Sequence, residues 1–125
     1  MDSSDSIQFL SRKKFSHGSV HGTANDAAVV FERAELQDIL NVYGRMVVAG
    51  IWRDYAIGFS RVTATFDIYR RSSELPLYSI TKTPHLARRQ GAYAVFGMGG
   101  QVLKRGHDLK QVLKVFDRKR FQVVE

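Results

Sequence analysis

The sequence predicts an α+β domain: an N-terminal helix, an antiparallel meander of about five strands and a C-terminal helix, with the helices packed on one sheet face. Three observations carry this. Apolar residues recur at helical spacing over 32–49, the pattern switches to period two between Tyr55 and Arg105, and helical spacing returns after His107. No helix-length crossover separates the alternating segments, so hairpins are the expected connections.

The elements follow in order. Residues 1–27 are rich in Ser, Gly, Asp, Asn and His with no sustained period, and they read as a disordered tail ahead of a single domain at 28–125. Within that tail Ile7, Phe9, Leu10 and Phe15 flank Arg12-Lys13-Lys14, an amphipathic patch able to fold onto a partner or onto its own domain. Next, Leu36, Ile39, Leu40, Tyr43, Met46 and Val47 share one helical face. Glu32, Glu35 and Asp38 sit in the first two turns, where negative charge opposes the helix dipole, and Gly50 supplies the stop. Gly44 costs helix stability and is expected to permit a close approach by another element.

Tyr55, Ile57 and Phe59 then alternate with Ala56, Gly58 and Ser60, and Val62, Ala64, Phe66 and Ile68 alternate with Thr63, Thr65, Asp67 and Tyr69, giving a hairpin. A third strand is expected over 77–82, ended by Thr83-Pro84. A fourth over 92–96 joins a fifth over 101–105 across Gly97-Met98-Gly99-Gly100. After Gly106-His107-Asp108, an N-cap environment, Leu109, Val112, Leu113 and Phe116 mark the apolar face of the last helix, with Lys110, Lys114 and Arg118 on its outer side.

Composition limits the function classes. The chain has 125 residues, 44% of them hydrophobic, with eight Phe, five Tyr and one Trp, enough to bury a single core without staples. It has no cysteine, which excludes disulfides, Cys-ligated zinc, iron–sulfur clusters and thiol catalysis and fits a reducing compartment. The N-terminus places acids before a short semi-apolar patch, unlike a secretory signal, and no apolar run approaches membrane-span length. The expectation is a soluble, cytoplasmic protein with no membrane partner.

The net charge of +7 is unevenly spread. Residues 1–28 hold three acids and three bases, whereas 88–120 hold nine bases against two acids, a surplus of seven. A concentration of this kind points to an anionic partner such as nucleic acid, or else to a solvated basic surface that keeps the protein soluble.

Few residues invite catalysis. His17 and His21 have a His-x3-His spacing, yet they lie among Gly and Ser rather than on a helix and read as incidental. No nucleophile-elbow, zincin, calcium-loop or phosphate-loop motif is present, and no metal or other cofactor is expected. Gly97-Met98-Gly99-Gly100 joins two strands and opens no helix, so it reads as a hairpin turn. Lys104-Arg105-Gly106-His107-Asp108 brings two bases and a histidine to a helix start, where an anion could bind unless Asp108 already caps the amides. Trp52-Arg53-Asp54-Tyr55 reads as a structural knot between the first helix and the first strand. Arg70-Arg71 and Arg88-Arg89 are flanked by Tyr69, Tyr78 and Tyr93, a pattern RNA-binding sheets use, although these tyrosines can equally face the core.

Phe31-Glu32-Arg33-Ala34-Glu35-Leu36, Tyr43-Gly44, Trp52-Arg53-Asp54-Tyr55-Ala56-Ile57, Arg70-Arg71, Pro76-Leu77-Tyr78, Gln90-Gly91-Ala92-Tyr93 and Leu103-Lys104-Arg105-Gly106-His107-Asp108-Leu109 together give a further pointer. Over about residues 29–120 the chain resembles an alphaproteobacterial family known only as a domain of unknown function. Ile51 departs from the polar residue expected there. The resemblance implies a bacterial cytoplasmic origin and assigns no catalytic residue.

The leading functional expectation is a non-enzymatic binding module that meets nucleic acid through Arg88, Arg89, Lys104, Arg105, His107, Lys110, Lys114 and Arg118. The alternative is a protein-interaction or regulatory subunit, including a homodimer formed through an edge strand or the aromatic sheet face. A third reading, an enzyme using His107, Arg105 and Asp54, requires those three side chains to converge.

Overall fold

The computed structural model describes residues 27–70 and 75–117. The tail expected at 1–27 lies, but for Ala27, outside the described residues, as do Arg71 and Arg118. Helix α1 runs Arg33–Val48 and is followed by five strands, β1 Asp54–Phe59, β2 Ala64–Tyr69, β3 Tyr78–Lys82, β4 Tyr93–Gly97 and β5 Val102–Gly106, and then by the short helix α2, Leu109–Leu113. The strands pair antiparallel in the order β1-β2-β3-β4-β5. This is the α+β meander expected from the alternation of period two.

Register explains the two faces of the sheet. Ile57, Phe66, Ile80 and Val95 are successive cross-strand partners and so share one face. That face meets the helices: Phe66, Ile68, Ile80 and Val95 join Ile39, Val42 and Met46 of α1 and Leu109, Val112 and Leu113 of α2 in one apolar cluster. Each such side chain removed from water contributes roughly 1.5–3 kcal/mol. Trp52 and Phe116 lie in the same cluster, both 1% exposed.

Several local details differ from the expectation. Val42 takes a core position on α1, while Val47, assigned to its apolar face, is left 38% exposed in the last turn. Val62 lies in the β1–β2 turn, where Ser60 Oγ accepts from the backbone amides of Val62 and Thr63, rather than in the strand. A Cβ added at Gly44 would meet nothing within 4 Å, so no element approaches it closely. Helix α2 is interrupted by a turn at Lys114 before helical backbone resumes at 115–117. Gly97-Met98-Gly99-Gly100 is a hairpin turn, closed by Gly97 N donating to Gln101 O at 2.9 Å, with Gly100 at φ +86°.

Candidate functional site

The β3–β4 connection carries Arg88 and Arg89, and the β5–α2 connection carries His107. In a meander these two connections leave the same end of the sheet. The chain makes them touch. Leu86 O collects the amides of Arg89, Gln90 and Gly91 at 2.9–3.0 Å, which winds the connection tightly. Gly91 then takes φ +105° and lies so close to Gly106 that a Cβ there would stand 2.4 Å from the Gly106 carbonyl carbon and oxygen. Gly106 in turn packs under Val112 of α2. Glycine at position 91 is therefore needed twice, for its backbone angle and for the approach.

Arg88, Arg89 and His107 are exposed at this end, and Lys104 and Lys110 are exposed beside it. Arg105 is only half exposed. Successive strand residues point to opposite faces, so Lys104 and Arg105 diverge. The Arg105 guanidinium lies over the Phe96 ring, 6.0 Å from its centroid, on the face away from the helices, with a long 3.4 Å contact from Nη1 to Gly91 O. At the helix start Asp108 Oδ1 accepts from Lys110 N at 3.0 Å. Asp108 thus acts as the cap and occupies that amide.

Lys114 lies apart from the corner. It lines an open groove of about 220 Å³ between α1 and α2, together with Lys110, Asp38, Asn41, Arg45 and Asp117, floored by Val42 and Leu113. Arg45 and Asp117 form an exposed ion pair at 3.8 Å across it. The acids there dilute the positive field of α2. Such a pair contributes at most about 1 kcal/mol.

The tyrosines are divided. Tyr78 packs edge-on against Phe116 at 5.1 Å and near Trp52 at 6.1 Å, while Tyr93 bonds to α1, so neither offers a stacking surface. Tyr69 turns to the other face. Asp54 opens β1, one edge strand, whereas Arg105 and His107 lie at the far end of β5, the opposite edge. The His107, Arg105 and Asp54 set is not assembled.

One polar cluster escaped the sequence reading. Glu35, in the first turn of α1, receives Lys82 Nζ at 2.8 Å and the Tyr93 hydroxyl, and also the backbone N–H of Glu32 at 2.7 Å. Lys82 Nζ donates as well to Val30 O at 3.0 Å, fixing the strand-like approach to α1. The Lys82 and Glu35 side chains are only 13% and 15% exposed. Lys82 and Tyr93 are cross-strand partners on the helix side, so α1 is riveted to the sheet centre.

Burial works to raise the Glu35 pKa, but the bonds from Lys82, Tyr93 and Glu32 outweigh it and hold the carboxyl below its ordinary range. Burial, then the bond to the Glu35 carboxylate, pushes the Tyr93 phenol well above its own. Removing one partner leaves a half-buried charge without its counterpart, so Glu35→Ala should cost roughly 2 kcal/mol in urea unfolding. A lowered carboxyl stabilises above its unfolded pKa, and that contribution should fade as pH falls through the acid range. A raised phenol stabilises below its unfolded pKa, so stability should also fall as pH climbs past about 10.

Among the described residues, no group of three or more His, Asp or Glu side chains is placed to hold a metal ion, and no helix is long and apolar enough to cross a membrane. No curated protein and no solved structure matches the chain. A family model does match it over residues 29–113, from the bridge at Val29 to the end of α2, and that model is described as a protein of unknown function, DUF2794. The match spans the whole sheet and both helices, and the chain belongs to the DUF2794 family.

Proposed function

We propose that the domain is a nucleic-acid-binding module that contacts the phosphate backbone through the basic end of its sheet. The observation that supports it is the Gly91–Gly106 contact, which holds the connection bearing Arg88 and Arg89 against the one bearing His107. Arg88 and Arg89 thereby sit on one rim with His107, 18 residues beyond Arg89 in sequence, backed by exposed Lys104 and Lys110. Phosphate contact needs exposed cationic side chains and no buried pocket, which matches Arg88 and Arg89 on a tightly wound connection with Lys104 and Lys110 beside it. The bases at the rim, Arg88, Arg89, Lys104 and Lys110, support an anionic partner. The cytoplasmic setting expected from the cysteine-free composition is compatible with this reading.

The test is a fluorescence-anisotropy titration of generic duplex DNA and of RNA across a salt series. Binding at low salt should weaken steeply, with a log–log slope near −0.9 for each phosphate neutralised. The double change Arg88→Glu, Arg89→Glu should lower affinity at least tenfold and flatten the slope by about two, with unchanged thermal unfolding. Absence of binding at low ionic strength, or a salt-insensitive isotherm, would overturn the reading.

A further inference from the structure

The sheet face turned away from the helices is built unlike an ordinary solvated face. Two rows of cross-strand partners define it. One runs Ala56, Asp67, Ser79, Phe96, and the other runs Gly58, Thr65, Thr81, Ala94, Arg105. Every one of these residues is half-buried or buried, and Ala94 is 0% exposed, although it lies outside the core cluster. A water-facing antiparallel sheet usually presents long polar side chains. Here β1 and β2 present Ala56, Gly58, Thr65 and Asp67, with Asp54 and Tyr69 at one end, while β4 and β5 present Ala94, Phe96 and Arg105, with Val102, the partner of Phe96, 51% exposed at the edge.

The halves are complementary. Asp54 and Asp67 lie on the β1–β2 half, and the only partner of the Asp67 carboxylate among the described residues is Ser79 Oγ, which donates at 2.6 Å. Burial, partly offset by that bond, raises the Asp67 pKa. Arg105, on the opposite edge of the same face, holds its guanidinium over Phe96 with no carboxylate beside it in the described residues.

We propose that this face binds a second copy of the chain, sheet against sheet, about a twofold axis parallel to the strands and passing over β3. Such an axis keeps strand direction and laterally exchanges the sheet edges, so β5 of one copy lies over β1 of the other and β4 lies over β2. Phe96 then lies over Asp67 of the second copy and Arg105 over its Gly58, and Arg105 comes within a side chain's reach of that Asp67 carboxylate. The contact is isologous, as closed dimers require. Five strands about 4.8 Å apart and five residues about 3.3 Å apart give a patch of roughly 400 Å² on each copy, about 800 Å² in all, below the size of stable specific interfaces and in the range of a weak, transient one. A dimer that forms over micromolar concentrations is the corresponding expectation.

The test uses the full chain. Sedimentation velocity over a concentration series should show a shift from 14.2 kDa toward twice that mass. Asp67→Arg and Arg105→Asp should each raise the dissociation constant at least tenfold, and the double swap should recover most of the loss, which a folding defect would not do. Cysteine cross-linking guards against misfolded charge variants, because the natural chain has no cysteine. Thr81 lies on β3 beside the axis, and sheets about 10 Å apart hold its two copies too far apart for a disulfide but within the span of a short bismaleimide, so Thr81→Cys should cross-link with that reagent much faster than Val48→Cys on the helix side. A monomer at every concentration, a dimer indifferent to the swaps, or equal cross-linking of the two cysteine variants would each overturn the proposal. None of these readouts involves nucleic acid, so failure here leaves the basic-rim reading to its own test.

Discussion

Trp52→Ala should be the most destructive single truncation, costing about 3–5 kcal/mol by urea unfolding followed by circular dichroism. The indole is 1% exposed and is enclosed by aromatic rings from three directions. Phe116 meets it edge-on at 4.9 Å, and Tyr43 and Tyr78 lie at 6.0 and 6.1 Å. It is the piece that joins α1, β3 and the chain following α2, so a cavity there cannot close by moving one element alone. With a total stability of about 5–15 kcal/mol for a domain this size, the loss is enough to leave the variant partly unfolded at room temperature. Trp52→Phe should be far milder, because the indole Nε1 is buried without an acceptor among the described residues and phenylalanine removes that N–H along with some volume. If alanine and phenylalanine cost the same, the aromatic cage is not what holds these elements together.

Gly91→Ala should follow at about 2–4 kcal/mol, measured in the same way. A side chain at φ +105° is strained on its own, and the added carbon would stand 2.4 Å from the Gly106 backbone, which cannot swing aside as a flexible side chain can. The connection of Arg88 and Arg89 would have to lift from the end of β5. This variant also separates architecture from charge, since it leaves every cation in place. On the basic-rim reading it should weaken nucleic-acid binding under conditions where the protein is still mostly folded. An unchanged affinity would mean that the two connections need not be held together.

Local pattern made the strands legible. Period two from Tyr55 to Ile68 gave the first hairpin, and the four-residue Gly-rich turn gave the last, because both depend on neighbours in the chain. The apolar faces of α1 and α2 were legible for the same reason, although Val42 replaced Val47 once the strands decided which side of the helix was covered. The Glu35–Lys82–Tyr93 rivet could not be read, because its partners are 47 and 58 residues from Glu35 and each looks like an ordinary surface residue. The basic corner was visible as composition, but not the divergence of Lys104 from Arg105. That divergence follows from β5 being a strand to its last residue. Nor could sequence decide between an anion and Asp108 at the start of α2, where a difference of one side-chain rotamer settles the matter. The inward turn of Tyr78 and Tyr93 likewise depended on which parity of each strand the helices cover.

The bond from Lys82 to Val30 O, with the bridge between Val29 and Ser60, has a practical side. Both contacts lie at the end of the sheet that carries Arg88, Arg89 and His107, so Val29 and Val30 enter the fold at the same end as the basic rim. A fluorophore attached at Val30, which is 47% exposed, would sit at the end of the sheet it is meant to report on. Probes belong instead on the β4–β5 turn at Met98, which is exposed at the opposite end of every strand.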